Sequence, residues 1–247
     1  MNYESEILRD WYLLFHYGSP AEILDGVGFD PSGLPPRCLD FPVTTVEAAG
    51  VHREIGRALD IGCAVGRSTL ELSKSAREVI GIDFSAAFIE AAESVRRGEH
   101  VSYHRYAEMH QREPLIVSLP PGVATDRVSY ETGDAMDLRD DLGTFDLVHA
   151  ANLLCRLPEP RRFLDRLPSL VNPGGHLVLA TPATWMDAYT PRENQPGGAT
   201  LDYLHQHLDG TFEFLSATEL PFLIREHRRK LQLSTSQTSV WRRRPES

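Results

Sequence analysis

Apolar residues along the 247-residue chain recur with two periods, and the two periods take turns. Near the start, Ile7, Leu8, Trp11, Tyr12, Leu14 and Phe15 fall at helical spacing, predicting an amphipathic helix over 4–17 that stops at Gly18-Ser19-Pro20. A Gly/Pro-rich loop over about 25–43 and a second helix over about 43–55 follow. From about 57 to 181, short apolar runs alternate with helical patterns. The runs are 57–61, 78–83, one ending at Asp134, 144–152 and 171–180. Such alternation predicts an α/β domain with a mostly parallel sheet and helices on its faces. Between 98 and 125 the rhythm breaks. Val101, Tyr103, Arg105, Ala107 and Met109 alternate with polar residues, and Leu115-Ile116-Val117 follows Pro114, so a small β-excursion is expected there. Beyond 181 the pattern predicts a Pro/Gly-interrupted loop over 183–199 and a helix over about 200–209. A strand over about 211–217, a polar helical segment over 221–231 and a last strand over about 236–243 complete it.

The first strand carries the chemistry. Arg57-Ala58-Leu59-Asp60-Ile61 runs into Gly62-Cys63-Ala64-Val65-Gly66-Arg67, and a helix pattern opens at Ser68. A strand, a turn of small residues and a helix start leave helix N–H groups facing a crevice at the strand's carboxyl end, where a nucleotide-like ligand can sit. Small residues at 62, 64 and 66 let the backbone approach that ligand. The dinucleotide fingerprint G-x-G-x-x-G is not met, because Ala64 holds its middle position and Arg67 its last. That disfavours a nicotinamide oxidoreductase. The second strand ends in Asp83, about one βαβ repeat later, where an acid accepts hydrogen bonds from ribose hydroxyls. Phe84 follows, and Ser85 suits a helix cap.

Composition narrows the class. A formal charge of −10 disfavours nucleic acid, whose phosphates need a basic surface. The basic runs near the C-terminus, Arg225 to Lys230 and Arg242-Arg243-Arg244, are local exceptions. The absence of a long apolar run, and an acidic N-terminus unlike a signal peptide, lead to the expectation of a soluble cytoplasmic protein without a membrane partner. Cys38, Cys63 and Cys155 suit a reducing compartment and form no CxxC or Cys/His spacing, so no metal is expected.

The frame Asp60-x-Gly62-x-Ala64-x-Gly66 resembles motif I of class I S-adenosylmethionine (SAM) methyltransferases. Asp83, Asp134-Ala135 after Tyr130-Glu131-Thr132-Gly133, and the turn Asn172-Pro173-Gly174-Gly175 follow in that family's order. The resemblance implies a doubly wound, mostly parallel seven-stranded sheet with an N-terminal capping helix. It also implies SAM held by Asp60, Gly62, Cys63, Ala64, Gly66, Arg67, Asp83, Phe84, Asp134, Ala135 and Asn152. Three further blocks are narrower: Tyr12-Leu13-Leu14-Phe15-His16-Tyr17-Gly18, Ala150 through Leu157 (AANLLCRL), and Pro221 through His227 (PFLIREH). Together they resemble the C-terminal methyltransferase domain of the ovothiol-biosynthesis enzyme, over about residues 3–243. That domain methylates the imidazole of 5-mercaptohistidine to give ovothiol A. Bifunctional members of that family also carry an iron-dependent sulfoxide synthase, which is not found in this chain. A separate synthase is therefore expected to supply the thiohistidine. The expected organisation is one domain, with a helical cap over 1–56, an insertion over 98–125 and a substrate-side segment over 183–235.

The substrate is a zwitterion, so its site needs a cation for the carboxylate and an anion for the ammonium. Arg225 and Glu226 are candidates, with Arg192-Glu193 as a second set; such runs are ordinarily solvated charge. Tyr12, Tyr17, Asn152, Arg156 and Trp185 are candidate walls and contacts, although aromatics at helical spacing are more often core. His16, Glu226 or His227 are candidate proton acceptors, and no base is required if the bound tautomer is already correct. Other readings stay open: methylation of a different small thiol, phenol or imidazole, or a non-catalytic SAM-binding partner of a sulfoxide synthase.

Overall fold

The computed structural model describes residues 3–245. In chain order the elements are α1 (Glu6–Tyr17), α2 (Pro20–Leu24), α3 (Phe41–Glu47), β1 (Ile55–Ile61), α4 (Arg67–Leu72), β2 (Ala76–Asp83), α5 (Ala86–Arg96), β3 (Ser102–Glu108), β4 (Gln111–Ile116), β5 (Val128–Thr132), β6 (Phe145–Ala151), α6 (Pro160–Arg166), β7 (Val171–Thr181), α7 (Thr200–Leu208), β8 (Phe212–His227) and β9 (Lys230–Arg243). Seven strands form one sheet in the order β5-β2-β1-β6-β7-β9-β8. The first five run parallel, β9 pairs antiparallel with β7, and β8 pairs antiparallel with β9. The chain winds outward from β1 in both directions. Its switch point lies between β1 and β6, where ligands bind outside the strand ends.

Both faces of the central strands β1, β2, β6 and β7 are buried, and the two-residue strand period sorts side chains between them. Ala58, Val79, Leu147 and Val178 join Leu13, Leu14, Leu70 and Phe88 in one apolar cluster. Leu59, Ile80, Val148 and Leu177 join Phe163, Leu204 and Trp241 in the other. The first cluster is roofed by α1, whose start is capped by the Ser5 hydroxyl accepting from the Leu8 N–H.

The excursion is a two-stranded antiparallel hairpin, β3–β4, seated against α1. Buried Asp10 of α1 takes hydrogen bonds from His104 (3.1 Å) and the Tyr106 hydroxyl (3.4 Å). Ligand atoms of Glu6, Asp10 and His104 lie within 4.8 Å of one another, a grouping that residue spacing could not reveal. Arg112 and Arg9 already pair with Glu6 and Asp10, so the group serves as a polar clasp.

Four expected elements are corrected. Residues 221–231 are not helical: β8 runs on to His227, and β9 starts at Lys230. Phe222 packs with Phe15 and Phe41, while Leu223 joins the cluster under α1, so adjacent residues bury on opposite faces, as in a strand. The helix expected over 43–55 is the shorter α3, which starts at Phe41 with proline in its first turn and is followed by Gly50 at φ 62°. The flanking strands expected over 211–217 and 236–243 both extend into one long hairpin.

Candidate active site

A cavity of about 430 Å³ opens at the carboxyl ends of β1, β2, β5 and β6, beneath α1 and α3. Its floor is the turn after β1. Gly62 (φ 75°) and Ala64 (φ 48°) both take left-handed backbone there, and Ala64 does so as a non-glycine residue. The turn is fixed from β2: one Asp83 oxygen accepts the Ala64 N–H (2.8 Å) and the other accepts the Ser85 N–H (2.9 Å). Burial raises the Asp83 pKa, and those two N–H groups oppose the rise. Phe84 lines the mouth with 75% of its surface exposed, an unusual cost for a large ring without a partner.

Asp60, Cys63, Asp134, Ala135, Asn152 and Arg156 also line the cavity. Asp134 accepts the Met136 N–H at 2.9 Å. Asn152 holds a positive φ of 56° and accepts the Ser236 hydroxyl at 2.6 Å, tying β9 to the end of β6. Arg156 donates to the Thr184 carbonyl (3.1 Å) and lies 4.8 Å from the centre of the Tyr189 ring. Burial raises the Cys63 thiol pKa, which keeps it a neutral wall atom. Three carboxylates against one guanidinium give the cavity an acidic field suited to a cationic ligand. A pyrophosphate would be repelled.

Tyr12 and His16 reach the cavity from α1. Burial lowers the His16 pKa from its ordinary 6.5 to about 3, with Asp60 opposing and Arg67 adding to the effect. Its Nδ1 has no partner among the described residues. Folded His16 therefore stays neutral where the unfolded chain binds a proton. Stability should fall as the pH drops from 6.5 toward 3, by about 2 kcal/mol at pH 5. His16→Phe is expected to flatten that acid limb in thermal melts between pH 7 and 5; parallel limbs for variant and parent would refute the assignment.

Several expected contacts lie elsewhere. Arg225 is buried in the hairpin, donating to the carbonyls of Ile23 and Asp25 at 2.7 Å each. Glu226 pairs with Lys230 (2.6 Å), and His227 Nδ1 accepts the Arg229 N–H (3.3 Å). None of the three lines the cavity, because the strand turns Ile224 inward and a bulge at Arg225/His227 leads the chain away. Tyr17 donates to the Val65 carbonyl (2.8 Å), bracing the turn from behind. Trp185 bonds Thr200 (3.0 Å) and packs on the opposite core. Gly66 (φ 87°) faces away from the cavity; a Cβ there would meet Tyr130 Cζ at 2.7 Å and Ala92 Cβ at 2.9 Å. Arg67 spans from Glu71 to the His16 carbonyl, so both 66 and 67 shape the turn from outside the cavity.

Conversely, Phe15, Phe41, Phe88, Met136, Ile224 and His149 line the cavity without having been singled out. His149 had a signal: a histidine set among Leu147, Val148 and Ala150 in the buried stretch of a strand whose other polar residue, Asp146, lies near its start.

A family model described as "Methyltransferase domain" matches residues 37–227. The chain belongs to that family. It is a SAM-dependent methyltransferase with the class I fold, and its cofactor is SAM. Among curated proteins it is 27% identical over 177 residues to a "Ubiquinone biosynthesis O-methyltransferase" of Coxiella burnetii, covering 72% of this chain and 58% of that one. A protein of the same description from Ralstonia nicotianae is 29% identical over 148 residues, covering 59% and 49%. The chain thus spans about half the length of these relatives. Among solved structures it resembles the N-methyltransferase NodS of Bradyrhizobium japonicum in complex with S-adenosylhomocysteine (SAH), at a TM-score of 0.57 and 17% identity over 96% of this chain and 100% of that one. No helix among the described residues is long and apolar enough to cross a membrane.

Proposed function

We propose that the chain transfers the methyl group of SAM to a ring nitrogen of 5-thiohistidine. The observation that carries this reading is the chamber between α1, α3 and the sheet. Tyr12, Phe15 and Phe41 wall it, and the imidazoles of His16 and His149 each keep one nitrogen without a protein partner. Flat apolar walls and unpaired imidazole nitrogens suit a small, planar ring that brings polar ring nitrogens of its own. The resemblance of residues 12–18 and 150–157 to the ovothiol methyltransferase domain selects thiohistidine among such rings.

Bound SAM supplies a methyl group on a sulfonium, ready for displacement by a nucleophile in line with it. Asp83 would hold the ribose and Phe84 the adenine, with Asp134 beside it, and the turn at 62–64 would underlie the methionine portion. Arg156 takes over the role of carboxylate partner expected of Arg225, because its guanidinium lines the cavity while that of Arg225 is sealed in the hairpin. Aromatic walls exclude water from the transfer. A second reading, O-methylation of a phenolic ring, is favoured by the descriptions of the Coxiella and Ralstonia relatives.

The decisive assay incubates the protein with SAM and, separately, 5-thiohistidine, histidine and a catechol. Product mass and NMR should show one methyl on a ring nitrogen of thiohistidine and little transfer to histidine. Preferential methylation of the catechol, or methylation at sulfur, would replace this reading.

A further inference from the structure

Asp60 and His149 are register partners on adjacent strands, β1 and β6, so their side chains leave the same face of the sheet. His149 Nδ1 lies 2.8 Å from one Asp60 oxygen, and the Thr69 hydroxyl donates to the other at 2.7 Å. A carboxylate only accepts, so this pairing puts the proton on Nδ1 and leaves a lone pair on Nε2. His149 is 1% exposed, yet its Nε2 has no partner among the described residues and the side chain lines the cavity. A buried nitrogen without a partner costs stability, and an apolar residue such as the neighbouring Leu147, Val148 or Ala150 would avoid that cost. His16 Nδ1 is in the same condition on the opposite wall. The chamber therefore offers an acceptor, His149 Nε2, and calls for a ligand that brings an N–H group.

We propose that His149, oriented by Asp60, accepts the acceptor's proton during methyl transfer. The identity of the acceptor is taken from the function proposed above, whereas the place of the base is set by the cavity. With its thiol ionised, the thiohistidine ring is an imidazolium, and the nitrogen to be methylated carries a proton. That proton passes to His149 Nε2, which frees the nitrogen lone pair. The new N–CH₃ bond forms as the methyl–sulfur bond breaks, and its electron pair stays on sulfur. The positive charge of the sulfonium thus ends on His149, where Asp60 stabilises it, and the proton leaves to water after the product departs. Asp60 is a positioning residue in this scheme. His16 lacks a carboxylate in hydrogen-bond contact, and burial keeps it neutral, so it is not the group that takes the proton.

The titratable groups that face the cavity with His149 are Asp60 and Cys63 from β1 and its turn, Asp83 from β2, Asp134 after β5, Tyr12 and His16 from α1, and Tyr3 before it. Arg156 after β6, and Arg67 of α4 through His16, complete the charged surroundings. The variant to use is His149→Gln, whose amide keeps a donor for Asp60 but takes no proton. Single-turnover transfer to thiohistidine should fall by about 10²–10⁴-fold, and the rising limb of the kcat/KM pH profile should vanish. SAH affinity, measured by calorimetry, should be unchanged. A near-normal rate with an unaltered pH profile would overturn the assignment. So would a loss of SAH affinity matching the loss of rate, which would place His149 under the cofactor.

A second measurement needs neither turnover nor thiohistidine. The wild-type protein with isotopically labelled histidine, saturated with SAH, is titrated with imidazole while the ring nitrogens are followed by NMR. The His149 Nε2 resonance should move to that of a hydrogen-bonded nitrogen; an unresponsive Nε2 would overturn the proposal even where His149→Gln fails to fold. If wild-type protein makes no methylated thiohistidine, the acceptor assignment falls, and the imidazole titration still decides the role of His149.

Discussion

Asp83→Ala is expected to weaken SAH binding by roughly 10- to 150-fold, the equivalent of about 1.5–3 kcal/mol for a hydrogen bond to a charged group. The carboxylate has two tasks. It holds the turn through the N–H groups of Ala64 and Ser85, and it stands at the cavity edge with lone pairs left for ribose hydroxyls. Loss of the first task loosens a turn in which Ala64 is already in left-handed backbone, and loss of the second removes the ribose contact itself. Asp83→Asn separates them, because an amide oxygen still accepts one hydrogen bond without the charge. It should fall between wild type and alanine. Calorimetric titration with SAH reads both variants directly. An undiminished affinity in a folded Asp83→Ala protein would move the ribose elsewhere in the cavity.

Arg225→Ala is expected to cost about 2–5 kcal/mol of folding stability while leaving the KM for the acceptor unchanged. The guanidinium is buried between the sheet-edge hairpin and the N-terminal cap, and it satisfies the carbonyls of Ile23 and Asp25 at the end of α2. Truncation leaves those carbonyls without their donor and opens a void beside Ile23, which is itself 1% exposed. Thermal melts and steady-state kinetics on the same preparation check both halves. Intact melting with a raised KM would return Arg225 to the substrate, as the sequence pattern first suggested. Glu226→Ala should change little, since its pair with Lys230 sits at the exposed end of the hairpin.

The contrast between Asp83 and Arg225 shows what sequence reading can reach. Asp60, Gly62, Ala64 and Asp83 were legible because a strand, a tight turn and a helix start follow one another locally. A parallel sheet then brings the ends of successive strands to one edge. Their spacing along the chain is their spacing in space. The charged triplet at 225–227 had no such local rule. A run of polar and apolar residues fits a helix or a strand end, and the register with β9 alone decided that Ile224 faces the cavity and Arg225 does not.

Gly66 and Tyr17 make the same point at closer range. Both stand where the motif predicts a ligand contact, yet one is small because Tyr130 and Ala92 press on it, and the other holds the Val65 carbonyl from behind. His149 is the converse. Its sequence signal was a histidine amid the apolar residues 147–151 of its strand, and 89 positions separate it from Asp60. By itself the sequence determined the alternation of strands and helices, the switch-point crevice and the acids at its rim, because those follow from hydrophobic period and from steric demands within a few residues. Only the tertiary structure decided which histidines share a chamber and which arginine is sealed away. Those depend on strand register and on how the cap closes over the sheet, where contacts form between residues that the chain itself keeps far apart.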